Sequence, residues 1–557
     1  MMNSPILPVL IVGAGPTGLT LAAQLQRLGV PFRLIDKHPS PLILSKAAAI
    51  HANSLEIFQQ LGISDAVLRE GQRVDILDLR TFYRDRLALD FSLLEHTDFP
   101  FMIDLSQYRT EQLLIDHLTA QGVTLDREVV LQSFRDLGDH FEATVQHQDG
   151  RSETWRVRWI LGCDGVNSKV REIANLPFEG AAYADDWVLV DAELDWPLPR
   201  NEMTFSSDGQ GIFGVFPLPG ERQYRVAYTQ NRDADGHPVT PDLADIQASL
   251  TRSGLPGKAL SAGKFWTFDL AHKQAASYRR GRAFLVGDAG HVHTPFGGQG
   301  MNLGIGDASN LAWKLALVEK GLADERLLDS YSVERHTVSR FVIRTTHLGA
   351  SAMLMRGSRF APLRDAAMNL IQNFPAARRF LTASLSQLGH SYQGTPFVQG
   401  HAASLAGGDR APNQQFFDGL SQRYTQLNAL LSPDKHTLML VSSGLDNLAS
   451  HRTLLAFKEQ ALADYGQLLD VSIVTTDPTA RAALPTDRVW IDRGRKLDQY
   501  HVPGKLSAYL VRPDQHLAYA HAPADWLHLE AFLRRVYGNG QRSRFGPVAT
   551  PFEPQFA

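Results

Sequence analysis

A glycine-rich turn near the amino terminus constrains the fold more than any other segment of this chain. Residues 8–12 are apolar and predict a buried strand, and apolar residues at helical period predict a helix over 19–28. Between them, at G-x-G-x-x-G spacing, lie Gly13, Gly15 and Gly18. Such a strand–turn–helix unit predicts an α/β sheet, in which the three glycines permit the turn, the approach of a pyrophosphate and the close packing of the helix.

An acid follows the second predicted strand in the register that a dinucleotide site requires. Residues 31–35 read as a strand that ends at Asp36, about 20 residues after the turn. A carboxylate there accepts hydrogen bonds from ribose hydroxyls, which favours the adenosine of FAD or NAD over a 2′-phosphate. The alternative, a glycine turn without a ligand, accounts for the glycines but not for this acid.

A second glycine-rich loop lies far along the chain. Residues 282–286 predict a short buried strand, followed by Gly287 and Asp288 at its carboxyl end, where open α/β sheets bind their ligands. A predicted helix over 302–320 is preceded by Pro295, Gly297, Gly298 and Gly300. Backbone N–H groups of such a loop suit a negatively charged group, for example the pyrimidine end of a reduced flavin. A solvent loop that caps a helix is the alternative, and it leaves Asp288 unexplained.

Together with the segment Cys163-Asp164-Gly165, these two stretches resemble the group A FAD-dependent aromatic hydroxylases, in the branch of phenol hydroxylase, hydroxyphenylpropionate hydroxylase and the polyketide hydroxylases. The resemblance implies FAD as cofactor, NADH or NADPH as electron donor and O2 as co-substrate. It implies transfer of an oxygen atom from a flavin C4a-hydroperoxide to a phenolic or polycyclic aromatic substrate. Epoxidation or Baeyer–Villiger oxygenation on the same scaffold, and a non-catalytic flavin-binding scaffold protein, are the alternatives.

The resemblance also implies which residues hold FAD. Asp36 matches an acid at the adenosine ribose, Asp288 an aspartate at the ribityl chain, and Gln107 a glutamine at the phosphates and ribityl chain. Asp164 and Arg171 match a motif that supports FAD and the nicotinamide donor. The implied cofactor-binding set is Gly13, Gly15, Pro16, Thr17, Gly18, Asp36, Lys37, Lys46, Gln107, Val130, Asp164, Gly165, Arg171, Gly287, Asp288, Pro295, Gly298, Gly300, Met301 and Asn302.

Two departures from the family pattern affect this interpretation. Lys46 and Asn53 stand where the family usually has arginine, and a lysine offers phosphate a point charge without the planar fork. Ala48 stands where phenol hydroxylase has an aspartate near the reacting phenol. The catalytic base is therefore unassigned, with His51 and Tyr224 as candidates; a packed or surface histidine at a helix start is the favoured explanation of His51.

Strand patterns between the two halves of the predicted FAD-binding domain indicate a substrate-binding sheet over 181–272, which the alternating segment 74–91 joins. The resemblance places this sheet over the flavin ring. The predicted pocket residues are Phe213, Phe216, Pro217, Tyr228, Pro295, Phe296 and Gly297. An ordinary sheet core explains the apolar alternation of the sheet residues equally well and ranks first for each of them.

The predicted fold is α/β and α+β: a Rossmann-like FAD-binding domain, an interleaved β-sheet substrate domain and a C-terminal thioredoxin-like domain. The predicted boundaries are 1–180, 181–272, 273–395 and 396–557. Because the only cysteine is Cys163, the last domain has no dithiol chemistry. The sequence leaves two roles open for this domain, internal packing and formation of a homodimer.

Composition is consistent with a cytoplasmic enzyme. The 557 residues carry 55 Lys and Arg against 59 Asp and Glu, so charge gives no reason to expect nucleic-acid binding. A single cysteine fits a reducing compartment, and no apolar run predicts a membrane span. His291 and His293 lack further ligands at a recognised metal spacing, so no metal is predicted.

Overall fold

The computed structural model describes residues 6–42, 47–81, 86–182, 186–207, 211–233, 235–268, 271–294, 296–353, 361–418, 421–442, 448–478, 488–494 and 496–538. Helices and sheets are mixed throughout, as the sequence predicted. The α-helices are α1 (Pro16–Arg27), α2 (Ala52–Leu61), α3 (Ser64–Glu70), α4 (Gln107–Ala120), α5 (Lys169–Ile173), α6 (Leu243–Arg252), α7 (Gln299–Glu319), α8 (Asp329–Met353), α9 (Ala361–Asn373), α10 (Pro375–Leu385), α11 (Leu448–Tyr465) and α12 (Trp526–Tyr537). Among these helices, none combines the length and apolarity needed to cross a bilayer.

The first sheet carries the amino-terminal glycine turn. Its strands are β1 (Leu7–Val12), β2 (Phe32–Asp36), β8 (Leu125–Arg127), β9 (Val129–Asp136), β10 (Phe141–His147), β11 (Ser152–Gly162), β20 (Arg279–Arg280) and β21 (Ala283–Leu285). Four central strands, β2, β1, β11 and β21, are parallel to one another. Val12 pairs with both Ile35 and Gly162, and Gly162 pairs with Leu285, so these strands end side by side.

Helices α1 and α7 pack closely because small residues meet between them. A Cβ at Gly304 of α7 would lie 2.2 Å from Oγ1 of Thr17 on α1, and one at Gly287 would lie 2.6 Å from the same atom. Glycine is therefore required at both positions by packing. The sequence predicted that α7 starts at about residue 302. In the structure α7 begins three residues earlier, at Gln299, directly after Gly298.

A second, mostly antiparallel sheet is built from two separate parts of the chain. Its strands are β5 (Ile76–Thr81), β6 (Arg86–Asp90), β13 (Trp187–Asp195), β14 (Glu202–Ser207), β15 (Ile212–Pro217), β16 (Gln223–Thr229), β17 (Lys258–Ala262) and β18 (Trp266–Phe268). β5 pairs in parallel with β14, so segment 74–91 contributes to this sheet. Helix α6, which the strand-only prediction missed, packs Ile246 and Leu250 against one face.

Two small sheets connect these layers. One contains β3 (Ala49–Ile50), β4 (Gln72–Val74) and β7 (Met102–Asp104), and the other contains β12 (Phe178–Ala182), β19 (Ala271–Ala275) and β22 (His291–Val292). In the first, Ala49 and Gln72 both pair with Asp104 from opposite sides. β7 is therefore the central strand, and its residues are covered on both edges.

The carboxyl-terminal region contains a five-stranded sheet of order β29-β28-β27-β30-β31. β28 is parallel to β27, and β30 is antiparallel to it. The strands of this region are β23 (His401–Ala402), β24 (Leu405–Ala406), β25 (Gln415–Asp418), β26 (Arg423–Gln426), β27 (His436–Ser442), β28 (Leu469–Thr475), β29 (Val489–Ile491), β30 (Leu506–Val511) and β31 (Leu517–His521).

Buried charges join this region to α7 and α8. Glu334 accepts hydrogen bonds from both terminal nitrogens of Arg512 at 2.7 and 2.9 Å, and from Nζ of Lys314 at 2.7 Å. Arg512 also pairs with Asp514 at 2.5 Å. Burial would raise the pKa of Glu334, but the attraction of Arg512 and Lys314 outweighs it and lowers the pKa to about 2. Removal of one partner would leave a buried charge uncompensated.

Candidate active site

The parallel strands of the first sheet bring the predicted site residues to one edge. Gly13 follows β1, Asp36 ends β2, Asp164 follows β11 and Asp288 follows β21. Since neighbouring parallel strands point the same way, their carboxyl ends open into one cleft, where open α/β sheets bind ligands. Residues that are far apart in sequence therefore share one edge of the sheet.

Each of the three glycines in the amino-terminal turn is favoured for a different geometric reason. Gly13 has φ +104°, and a Cβ there would lie 2.4 Å from the carbonyl oxygen of Cys163. A Cβ at Gly18 would lie 1.9 Å from the carbonyl oxygen of Gly13. Gly15 differs, because no atom lies within 4 Å of where its Cβ would be. That space faces the amino terminus of α1, which starts at Pro16, and it suits a phosphate group.

Asp36 lies at the tip of this turn. Its carboxylate accepts hydrogen bonds from the backbone N–H of Ala14 at 2.6 Å and of His38 at 2.8 Å, and Arg127 lies 3.8 Å away. The acid thus fixes the turn as well as facing the cleft. Its neighbour Lys37 is exposed.

Gln107 opens α4 close to the same end of the cleft. Its side-chain amide donates to Glu111 at 2.8 Å. Burial raises the pKa of Glu111 to about 7; the hydrogen bond from Gln107 opposes this shift, and the nearby charge of Asp36 adds to it. Val130 at the start of β9 has an exposed side chain. Gln107 and the charge of Asp36 therefore both act on Glu111.

The second glycine loop has a left-handed backbone held by one amide. Gly297 and Gly298 have φ of +74° and +65°, and a Cβ at Gly298 would lie 2.7 Å from the Cβ of Ala49. The Asn302 side chain donates to the carbonyls of Gly298 at 2.7 Å and Ala49 at 2.8 Å. The loop is consequently locked against β3, with the amino terminus of α7 behind it. Met301 is buried in the core.

His51 is a buried histidine and not a surface one. It precedes α2, its backbone N–H donates to Asn302, and its Nε2–H donates to the carbonyl of Gly297 at 2.8 Å. Burial lowers the pKa of His51 to about 4. Its neutral ring therefore supports the loop through Nε2, and its role as the base stays a prediction.

Asp164 and Arg171 organise the neighbouring turn. The Asp164 carboxylate accepts from Ser168 Oγ at 2.5 Å and from the N–H of Lys169 at 2.7 Å. Arg171 donates to the carbonyl of Ala289 at 2.9 Å, which ties the segment around Gly165 to the 3-10 turn Gly287–Ala289. Asp288 in that turn is exposed at the cleft edge.

Sequence reasoning missed Asp307 within α7. It accepts from the N–H of Gly287 at 3.0 Å, from Nε2 of His291 at 2.6 Å and from Arg335 at 2.6 Å. Burial opposes its ionisation, but Arg335 and His291 outweigh this effect and lower the pKa of Asp307. His293 donates to the carbonyl of Thr294 at 2.7 Å. The sequence feature that could have identified Asp307 is an acidic residue within a mostly apolar helix.

One face of the second sheet meets the glycine loop. Phe216 and Phe205 belong to the same apolar cluster as Phe296, whose ring centroid lies 5.3 Å from that of Phe205. Met353 and Met368 from α8 and α9 complete this wall. Phe216 and Phe296 therefore meet on this face, and the role of Phe216, Phe296 and Gly297 in a pocket stays a prediction.

Four predicted site residues lie on the opposite face of that sheet. Phe213, Tyr224 and Tyr228 pack in the cluster covered by α6, and Pro217 is paired with Tyr224 in the ladder and shares its face. Tyr228 donates to Asp245 at 2.7 Å. Because alternate residues of a strand point to opposite faces, these four residues do not face the glycine loop, and their roles in a pocket or as a base stay predictions. Lys46 and Pro295 lie outside the described residues.

Comparisons with known proteins agree with this architecture. The family model of the FAD binding domain matches residues 7–346. A 6-methylpretetramide 4-monooxygenase of Streptomyces rimosus is 35% identical over 72% of this chain and 72% of its own length. A pentachlorophenol 4-monooxygenase of Sphingobium chlorophenolicum is 31% identical over 73% of this chain and 76% of its own.

A solved structure extends the likeness to nearly the whole chain. The anhydrotetracycline hydroxylase from Streptomyces rimosus superposes with a TM-score of 0.74 at 27% identity, covering 95% of this chain and 99% of its own. The similarity thus includes the carboxyl-terminal region that the family model does not reach. This chain belongs to the FAD-binding-domain family and, within it, to the FAD-dependent aromatic hydroxylases.

Proposed function

We propose that this monooxygenase hydroxylates a phenolic or polycyclic aromatic compound, with NADH or NADPH as the electron donor. The observation that carries the proposal is the locked loop of Gly297 and Gly298, which packs beside an apolar wall at the amino terminus of α7. A cofactor ring on that loop would have the wall beside it. The named relatives, which act on a pretetramide and a chlorinated phenol, support an aromatic substrate.

The chain's own residues bind and orient FAD in this proposal. The space at Gly15 takes the pyrophosphate, Asp36 the adenosine ribose and Asp288 the ribityl chain, while backbone groups from Gly298 to Asn302 hold the ring. Bound FAD, once reduced, supplies the activation of O2 for oxygen transfer. We assign Asp164 and Arg171 to support of the turn that carries Asp288.

The apolar wall excludes water from the reacting atoms. Phe205, Phe216 and Phe296 are each at most 7% exposed, and they form contacts between the sheet and the loop. Water exclusion strengthens the polar interactions inside such a site and suppresses hydrolytic side reactions. Aromatic side chains also offer an aromatic substrate offset or edge-to-face contacts.

We further propose that residues 396–557 form a thioredoxin-like domain that stabilises the enzyme. The order β28-β27-β30-β31, with a helix after β27 and a helix after β31, supports this assignment. The buried pairs of Glu334 with Arg512 and Lys314 support a role in internal packing. A homodimer through this domain is the alternative purpose, and sedimentation of the full chain tests it.

The test is NAD(P)H consumption by the FAD-loaded protein with a panel of phenols and polycyclic aromatics, followed by mass analysis of the products. We expect one class of aromatic to stimulate consumption and to gain one oxygen atom. Asp288→Ala protein, which we expect to be largely colourless, is the control for FAD dependence. Flavin-bound protein whose NAD(P)H oxidation no aromatic changes would identify a scaffold protein and overturn the proposal. Ring expansion to a lactone, or an epoxide product, would replace hydroxylation by the corresponding oxygenation.

A further inference from the structure

A buried carboxyl group lies beside the apolar wall of Phe205, Phe216 and Phe296. Asp104 ends β7 and is 0% exposed, and neither of its carboxylate oxygens has a hydrogen-bond partner among the residues that the structure describes. Unsatisfied buried polar groups are rare in native proteins, and each calls for an explanation. In the segment FMIDLSQ this acid interrupts an apolar run.

The pairing of β7 fixes the direction in which Asp104 points. Asp104 lies on the same face of the strand as Met102, two residues earlier, and its cross-strand partner is Ala49. Met102, Ala49 and Val74 all belong to the apolar cluster that contains Phe216 and Phe296. Asp104 therefore lies on the wall shared by the glycine loop and the proposed substrate side of the second sheet.

The second sheet approaches the same place with Arg225. This arginine is opposite Phe216 in the ladder, so it lies on the cluster side of β16. Its guanidinium is already engaged, by both oxygens of Asp191 at 2.7 and 2.9 Å and by the carbonyl of Ala47 at 2.8 Å. Its charge acts on Asp104 without a hydrogen bond between the two side chains.

Stability alone does not explain an acid at this position. Burial raises the pKa of Asp104 well above its usual value, and the charge of Arg225 only partly opposes this shift, so the carboxyl group is held in its neutral form. A neutral carboxyl offers one O–H donor and acceptor capacity, and none of the described side chains or backbone groups uses it. Replacement of an unsatisfied polar group by an apolar one of similar shape is nearly neutral or stabilising.

We propose that Asp104 determines substrate orientation by hydrogen bonding to an oxygen substituent of the aromatic substrate. Apolar pockets fix the orientation of a ligand with a few placed polar groups, and Asp104 is a group of that kind on this wall. The inference rests on the proposed hydroxylase function. It assigns the ligand chemistry: an aromatic ring that bears a hydroxyl or carbonyl oxygen on the side facing β7.

The test combines substitution of Asp104 in the protein with removal of single oxygen substituents from the substrate. Asp104→Val and Asp104→Asn are compared with wild type, using the best substrate of the aromatic panel and analogues in which one oxygen at a time is replaced by hydrogen. In wild type one deletion should lower kcat/KM about tenfold to a hundredfold, as expected for a lost hydrogen bond to a buried group. In Asp104→Val the same deletion should have less than a threefold effect, and more than one hydroxylated product should form. Asp104→Asn, which keeps a donor and an acceptor, should retain most of the discrimination.

Two controls separate this role from a structural one. Asp245→Asn changes a buried acid on the α6 face of the same sheet, and it should leave the discrimination between analogues unchanged. The Tm of Asp104→Val without substrate should equal or exceed that of wild type. A fall of several degrees, or equal loss of activity with every analogue, would overturn the inference while leaving the hydroxylase function intact. Wild-type protein that oxidises no aromatic would instead overturn the proposed function, and the inference with it.

Discussion

The most direct test of the glycine loop is the substitution Gly298→Ala. Gly298 has φ +65°, and its missing Cβ would lie 2.7 Å from the Cβ of Ala49. Neither residue can move away freely, because the side chain of Asn302 donates to the carbonyls of both. Alanine at position 298 therefore introduces both backbone strain and a steric contact with Ala49. The free protein relieves both by moving the loop away from its wild-type conformation.

The magnitude follows from these two terms. A left-handed backbone costs a residue with a Cβ about 1–2 kcal/mol. FAD binding must restore the loop, so its affinity should fall about 5- to 30-fold from the backbone strain alone. The contact with Ala49 adds to this loss. The double variant Gly298→Ala with Ala49→Gly removes that contact. It should recover the affinity lost through the contact, but not the affinity lost through the backbone strain.

The assay is a fluorescence titration of apoprotein with FAD. The matched control is Gly254→Ala, because Gly254 has φ +66° at the end of α6 and no atom within 4 Å of its missing Cβ. That variant should lose stability and keep its affinity for FAD. Unchanged FAD affinity in Gly298→Ala would refute the assignment of this loop to the cofactor. Equal losses in the single and double variants would refute the steric argument.

Three further outcomes are expected. Asp36→Asn should weaken FAD binding about tenfold or more, because it removes the charge that accepts from Ala14 and, as proposed, from ribose; equilibrium dialysis measures this. Glu334→Gln should lower the free energy of unfolding in urea by about 3–5 kcal/mol, since it leaves two buried cations, Arg512 and Lys314, facing the single charge of Asp514. Because the effect of burial is outweighed by Arg512 and Lys314, which lower the folded-state pKa of Glu334 to about 2 from its usual 4.5, its stabilisation is complete above pH 4.5 and is lost as the pH falls toward 2. Urea melts across that window should show a steeper decline in wild type than in Glu334→Gln, which keeps the buried carboxylates Asp307 and Asp514.

Each of these outcomes has a control on the surface. Asp126→Asn lies on the strand next to Asp36, in a partly exposed pair with Arg33, and should leave FAD affinity unchanged. Glu325→Gln removes a half-exposed pair with Arg282 and should cost less than about 1 kcal/mol. A comparable loss in Glu325→Gln and Glu334→Gln would contradict the importance of burial for the second pair.

The motifs that sequence alone identified are those whose geometry is local. Gly13, Gly15 and Gly18 predicted the turn because a strand, a tight turn and a helix involve only neighbouring residues. The same holds for Gly298, where a positive φ and a helix start coincide. Asp36 was predictable because the length of one strand–helix–strand unit fixes its register.

Which face of a strand meets the site was decided only by tertiary structure. Alternation in β15 and β16 separated two sets of side chains but not inside from outside, because both faces of this sheet are covered, one by α6 and one by the glycine loop. Sequence therefore could not tell that Phe213 and Tyr224 lie on the α6 face, and it did not single out Asp104 or Asp307. The sequence thus determined the cofactor turns, whose strain and packing are set over a few residues. The fold decided the apolar wall and the burial of Asp104 beside it, because burial there depends on elements that lie far apart in the chain.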